Sequence, residues 1–426
     1  MPKNFCQKII LGAYTWLGRL ALPLFLGRFF YRGFALPDYR KNLLERFGFS
    51  KLPPHAIWIH AVSLGETKAA LPLLQQCLAW GEKIALTHTT PTARKLAQTF
   101  LPKGSYAYLP FDDPWILHYF IKRLQPNALI IMETELWPNL LWVCQQKKIP
   151  VFLANARLSK KSARRYAYFR ILTRMLLPPV TIFAQSRKDA KRFQFLGATH
   201  IKVCGNLKFD IKPPPEAYEK ARHFRSLIQN RFVICIASTR SGEEETILKN
   251  LALLFESIPE LLLLIVPRHP ERFAEVEALL KKENYTYQKR SDEHPVASST
   301  KIWLGDSMGE LYAYYGAADI AVVGGSFLDY GGQNPIEAMA MGIPVIMGPH
   351  TEHFSNLVRQ AMQKKALLQL KSPSDLSLTM FSLYQDADKR QQLRTNAFAF
   401  WEKEQGAAQK IMQDILSVLQ SKKSSR

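Results

Sequence analysis

Short apolar runs rich in β-branched and aromatic residues recur along this chain, each followed by a stretch of helical spacing. No other feature limits the fold as much. The first series reads AIWIHAV (56–62), KIALTHTT (83–90), SYAYLP (105–110), NALIIMET (127–134), PVFLANA (150–156), TIFAQS (181–186) and IKVCGNL (201–207). A second reads RFVICIAST (231–239), LLLLIVP (261–267), KIWLGD (301–306), DIAVVGGS (319–326) and PVIMGP (344–349). Continuous apolar strands separated by helices make parallel sheets covered on both faces. Between the two series, Pro213-Pro214-Pro215 signals a semi-rigid linker. The expectation is an α/β chain of two Rossmann-like, doubly wound domains, residues 36–212 and 213–426. Ligands of such sheets sit beyond the carboxyl ends of the strands, so two facing domains imply a cleft.

Residues 1–35 form a third segment. Residues 9–30, IILGAYTWLGRLALPLFLGRFF, contain no acidic residue and exceed the roughly 20 apolar residues that cross a bilayer. Arg19 in the middle opposes a clean crossing, so an interfacial helix with Tyr14 and Trp16 at headgroup level fits equally well. A cleaved signal peptide needs a small-residue cleavage site, and FFYRGFALPDYR supplies none. The expectation is a membrane-anchoring helix whose basic flank, from Arg28 to Arg46, stays on the cytoplasmic side. The whole chain carries 57 Lys and Arg against 35 Asp and Glu, a formal charge of +22. That favours anionic partners and says nothing of fold. Five Cys without a CxxC pair argue against a disulfide framework or structural zinc.

Polar residues gather where the first series of strands ends. Ser63-Leu64-Gly65-Glu66-Thr67 follows the first strand. Glu66 there is either a first-turn carboxylate favoured by the helix dipole or a general base aimed at the cleft. The strand 127–134 ends in Glu133-Thr134-Glu135, and alternation puts Glu133 and Glu135 on one side. Like charges so placed raise one another's pKa, as acid–base sites require; capping before Pro138 is the plainer account. Asn155-Ala156-Arg157 and Gly205-Asn206-Leu207-Lys208 close two more strands, completing one polar wall. Asp112-Asp113 before Pro114 reads as a turn and helix cap, and no metal is assigned. No G-x-S-x-G and no P-loop is present.

The second series carries the marks of a nucleotide site. Arg268 and His269 end the strand 261–267, where a guanidinium pairs with phosphate in bidentate fashion. Met308-Gly309-Glu310 opens a helix whose free N–H groups suit an anion. Gly325 and Ser326 belong to a turn GGSF, and GGQNPIE follows, with Asn334 and Glu337 three residues apart. A glutamate so placed accepts both hydroxyls of a ribose.

With these motifs in order, the chain resembles the bacterial lipid A Kdo transferases, which move 3-deoxy-D-manno-octulosonic acid and have the B-type glycosyltransferase (GT-B) fold. The resemblance runs from the apolar amino terminus through HAVSLGE, METELWPN, NARLS, GNLKFD, PRHP and MGEL to GGQNPIE. It implies an inverting transfer of Kdo from CMP-Kdo to the 6′-hydroxyl of a lipid A precursor, at the cytoplasmic side of a bacterial inner membrane. It implies Glu66 as base, and one of Glu133 and Glu135, with Lys208, as stabilising the transition state. Lys208 would hold the Kdo carboxylate or the phosphate. Arg268, His269, Met308, Gly309, Glu310, Gly325, Ser326, Asn334 and Glu337 would hold the CMP part. No metal or cofactor is expected, CMP-Kdo being the donor substrate, and no nucleic acid partner. One departure is STRSGEE, with Arg240 and Ser241 where the family pattern reads STHEGEE; the resemblance assigns that loop no role. The rivals are an enzyme of UDP-sugars on the same fold and a basic nucleic-acid binder, the latter opposed by the spread of basic residues and the lack of any recognised motif.

Overall fold

The computed structural model describes residues 3–424. It divides into two compact units: one runs to Ile211 and resumes at Gln405, the other runs from Lys212 to Glu404.

The first unit is built on seven strands: β1 (Ile57–His60), β2 (Ile84–His88), β3 (Tyr106–Tyr108), β4 (Ala128–Met132), β5 (Val151–Ala156), β6 (Val180–Ala184) and β7 (His200–Val203). They form one parallel sheet in the order β3-β2-β1-β4-β5-β6-β7. Every residue of β1 and β4 is buried, as strands covered on both faces must be. Alternation sends Trp58, Leu129 and Ile131 into one core, and Ile57, Ile59 and Ile130 into the core on the opposite face.

Eight helices belong to this unit's amino-terminal part: α1 (Lys3–Ala35), α2 (Leu64–Ala79), α3 (Pro91–Gln98), α4 (Pro114–Leu124), α5 (Pro138–Gln146), α6 (Lys160–Tyr168), α7 (Arg170–Leu176) and α8 (Arg187–Phe195). Their starts are written in the sequence. Ser63, Thr90, Asp113, Ser159 and Ser186 each accept a backbone N–H at a helix start. Pro91, Pro114 and Pro138 occupy first-turn positions, where the missing N–H costs nothing. Asp112 behaves differently from its neighbour. Its carboxylate accepts N–H groups of Asn139 and Leu140, and so caps α5, which has no cap of its own.

Within α1, residues 9–34 are long and apolar enough to cross a membrane, and most of that face is solvent-exposed, Leu20 and Leu24 among it. The same helix is fastened to the sheet's carboxyl edge. Tyr14 donates to Asp112 at 2.9 Å, Thr15 to Asn139 at 3.1 Å, and Arg19 pairs with Asp113 at 2.6 Å.

The second unit holds β8 (Phe232–Thr239), β9 (Leu261–Pro267), β10 (Tyr287–Lys289), β11 (Ile302–Leu304), β12 (Ile320–Val323), β13 (Val345–Met347) and β14 (Leu368–Gln369). Again the sheet is parallel, in the order β10-β11-β9-β8-β12-β13-β14. Its edge strands β10 and β14, three and two residues long, have no counterpart among the apolar runs of the sequence. The triple proline opens a helix here: Pro214 precedes and Pro215 begins α9 (Pro215–Ile228).

One expectation is corrected. The sequence pattern groups the carboxyl-terminal stretch with the domain 213–426, yet the helix Ala407–Ser424 belongs to the first unit. Ile411, Met412, Ile415, Leu416 and Leu419 join Leu73, Leu74 and Cys77 in a single core. Asp210 fixes the start of this helix by accepting the N–H groups of Gly406 and Ala408, at 2.5 and 2.6 Å.

Candidate active-site residues

In both sheets the strand order reverses at one point, between β1 and β4 in the first and between β8 and β12 in the second. Adjacent loops leave in opposite directions there and open a crevice at the carboxyl edge. The loops after β1 and β4 carry Glu66 and Glu133-Thr134-Glu135.

Glu66 lies in the first turn of α2 and is 8% exposed. Its Oε2 accepts the Val62 N–H at 2.9 Å and its Oε1 the Ser63 hydroxyl at 3.0 Å, while Ser63 Oγ accepts the Glu66 N–H at 3.4 Å. Glu66 thus closes the helix start, as the plainer sequence reading expects, and it is also an unusual acid. Burial pushes its carboxyl up to about 7; the hydrogen bond from Val62 opposes this, and the charges of Glu133 and Glu135 add to it. Glu135 is raised too, by burial and then by Glu133. The structure thus brings the three carboxylates into one electrostatic group.

Glu133 has a φ of 56° and Asn155, at the end of β5, a φ of 55°. Left-handed backbone at residues with a side chain costs about 1–3 kcal/mol and persists where the surroundings enforce it. Asn155 is fully buried; its Oδ1 accepts the Leu207 N–H at 3.1 Å, which joins β5 to the turn bearing Lys208. That turn, Leu207–Asp210, packs against α2, and its Lys208 is half-buried. His60 is no candidate. It is wholly buried at the end of β1, hydrogen-bonded to Thr87, and burial drives its imidazole down to about 3, so it stays neutral.

In the second unit, the loops after β8 and β12 are locked together by a residue that the sequence reading passed over. Glu243 opens α10 (Glu243–Leu251) and has no exposed surface. Its carboxylate accepts the N–H groups of Gly325 at 2.6 Å, Phe327 at 2.9 Å and Arg240 at 2.8 Å. The run of three glutamates at 243–245 was its only signal in the sequence. Ser326 is also wholly buried, its hydroxyl donating to the Val323 carbonyl and accepting the Gly348 N–H. Its hydroxyl is thus spent on holding the loop's shape. Gly325, with φ 66°, makes the turn that only glycine adopts without strain.

Arg268 is exposed and His269 half-buried just beyond β9. The Nη1 of Arg240 meets His269 Nε2 at 2.7 Å, and its guanidinium lies 5.1 Å from the ring centre of Tyr330. Burial, then Arg240, Arg268 and Arg272, hold the His269 imidazole below its ordinary range. The loop left without a role by the sequence thus adds a cation to Arg268 and His269.

Met308 is exposed, Gly309 has a φ of 84°, and Glu310 is consumed in ion pairs with Lys220 at 2.9 Å and Arg290 at 2.9 Å. Burial raises the Glu310 acid, yet the Ser307 hydroxyl and these two cations outweigh it and hold the acid low. Glu310 is therefore a brace for this turn. Asn334 accepts the Ile336 N–H at 3.3 Å, and Glu337 follows in the first turn of the helix Ile336–Ala340, half-buried. The Gly331–Gln333 segment pairs back onto Gly324 and Gly325, so both glycine turns form one layer.

Residues 41–211 match the family model of 3-deoxy-D-manno-octulosonic-acid transferases (kdotransferase), and residues 227–400 that of glycosyl transferases group 1. The 3-deoxy-D-manno-octulosonic acid transferase of Haemophilus influenzae is 38% identical over 95% of this chain and 97% of its own. That of Bordetella pertussis is 37% identical over 84% and 86%. Among solved structures, the UDP-GlcNAc 2-epimerase of Neisseria meningitidis superposes with a TM-score of 0.58 at 13% identity, over 85% of this chain and all of that one. At that identity the likeness concerns the two-sheet glycosyltransferase fold alone.

Proposed function

Since this chain belongs to the 3-deoxy-D-manno-octulosonic acid transferases, a family of glycosyltransferases, we propose that it moves Kdo from CMP-Kdo to the 6′-hydroxyl of a lipid A precursor, with inversion. The observation that carries the chemistry is Glu66: a buried carboxyl pushed up to about 7, at the switch point of its sheet, beside two further carboxylates. A base is most effective when its pKa lies near the working pH, and such help is worth about 10²–10⁴ in rate.

In this reading Glu66 accepts the proton of the acceptor hydroxyl. The freed electron pair forms the new bond to C2 of Kdo, while the C2–O bond to CMP breaks and its electrons leave on the phosphate. Lys208 and one of Glu133 and Glu135 flank the oxocarbenium-like transition state, Lys208 facing the Kdo carboxylate or the phosphate. Arg268 and Arg240 meet the growing negative charge on CMP, preorganised by the Glu243 network. Glu337 and Asn334 take the ribose. The helix α1 keeps the enzyme at the membrane that holds a lipid acceptor, on the cytoplasmic face of the bacterial inner membrane, which its basic flank favours.

The test is transfer by the detergent-solubilised protein from CMP-Kdo to a lipid A precursor, read by mass spectrometry. A product one or more Kdo heavier supports the reading, and Glu66→Gln must abolish it while leaving CMP binding in place. An intact acceptor and unconsumed CMP-Kdo with a folded sample would overturn it in favour of a UDP-sugar.

A further inference from the structure

Between Glu135 and Asp189 the chain has no acidic residue and eleven Lys and Arg. The fold places eight of these charges on α6, α7 and α8. Lys160, Lys161, Arg164, Arg165, Arg170 and Arg174 are all exposed, and none has an ion pair among the described residues. The one acid of these helices, Asp189, is buried and turned inward, accepting the Leu158 N–H and the Ser186 hydroxyl and lying 3.5 Å from Arg192.

Three further observations define the partner. Large apolar groups stand among the cations: Tyr168 is 87% exposed, Phe169 66% and Ile171 61%. A cavity of about 370 Å³ opens between α6 and α8, walled by Lys160, Arg164, Arg192, Tyr168 and Phe195. Finally, α7 packs beside α1, so this surface continues the exposed apolar face of a helix of membrane length. Cations alone would suit any polyanion. Cations with protruding Phe and Ile, continuous with α1, suit a bilayer with anionic headgroups.

We propose that α6, α7 and α8 form a docking surface for an anionic lipid bilayer, with Phe169 and Ile171 dipping into the acyl boundary and a lipid phosphate in the cavity of Lys160, Arg164 and Arg192. The placement has a use. Tyr166 of α6 donates to the Thr134 carbonyl at 3.2 Å, so the docked helix is tied to the turn between Glu133 and Glu135. This use rests on the reading above, that the acceptor is a membrane lipid; the docking does not.

The experiment is co-sedimentation of the full chain with vesicles of phosphatidylcholine alone, or with one third phosphatidylglycerol, at low and high salt. Anionic lipid should raise partitioning roughly tenfold or more at low salt, and high salt should remove the gain. K160E/R164E should lose most of that gain and keep its binding to neutral vesicles through α1. F169S/I171S should weaken binding to both. Thermal melts equal to the parent's establish that each variant is folded, and K160A/R164A serves if charge reversal does not fold. Unchanged dependence on phosphatidylglycerol in the folded variants would overturn the proposal. So would displacement from the vesicles by an equimolar RNA, which would make the surface a nucleic-acid site. Transfer assayed in detergent separates the two readings: vesicle binding as expected without any Kdo transfer sinks the enzymatic reading and leaves the docking surface.

Discussion

Glu66 is held at the start of α2 through both of its oxygens, and its surroundings pull its proton in opposite directions: burial favours the acid, the hydrogen bonds from Val62 and Ser63 the carboxylate. Its carboxyl binds a proton more tightly in the folded chain, at about 7, than in the unfolded one, near 4.5. Between those values the folded state holds more protons, so raising the pH removes stability. Glu66→Gln, which keeps an acceptor for Val62 and a donor for Ser63, should therefore melt higher than the parent at pH 8 and equal it at pH 4 by calorimetry. The same substitution should cost about 10²-fold or more in transfer. In the parent, activity should fall about tenfold per pH unit below 7, because only the ionised form accepts a proton. Arg240 offers a second check. Arg240→Ala removes a charge that depresses His269, so the imidazole should titrate higher by NMR, and CMP should bind several-fold more weakly. Glu66 and Glu133 were legible in the sequence because a strand end fixes where its next residues go. The roles of Glu243 and Arg240 were not, since their partners lie at Gly325, Phe327 and His269, far along the chain.

Among the elements, the central strands announced themselves by composition, being buried on both faces. The edge strands β10 and β14 did not, for two or three residues bearing half-exposed side chains leave no apolar run. The amino-terminal helix was legible as a helix of membrane length but not as one fastened to the sheet's carboxyl edge. Its middle is held by Asp112 and Asp113, one of which also caps α5 and the other α4. Asp112→Ala would strip acceptors from Tyr14 and from the first turn of α5. We expect a loss of about 2–4 kcal/mol, since unsatisfied buried donors cost about 1–3 kcal/mol each. Denaturant melts measure it, and limited proteolysis should then cut within residues 1–35 faster than in the parent.

At the scale of the whole molecule, two parallel sheets and their order along the chain follow from the apolar runs, while the return of the last helix does not. Helical spacing shows that Ala407–Ser424 has a buried face; nothing local says which core receives it. That core is the first unit's, and five of its large side chains come from this helix. At about 1.5–3 kcal/mol apiece they match the entire stability of an ordinary domain, about 5–15 kcal/mol. A chain ending at Glu404 should keep the second unit's cooperative transition in calorimetry and lose the first's, with no transfer activity. The same helix also sets an order of assembly during synthesis. The strands of the first unit are made before Lys212, and the stretch from Lys212 to Glu404 can close its core while translation continues. The core beneath the three carboxylates must wait for the helix Ala407–Ser424, so the unit begun first is the one completed last.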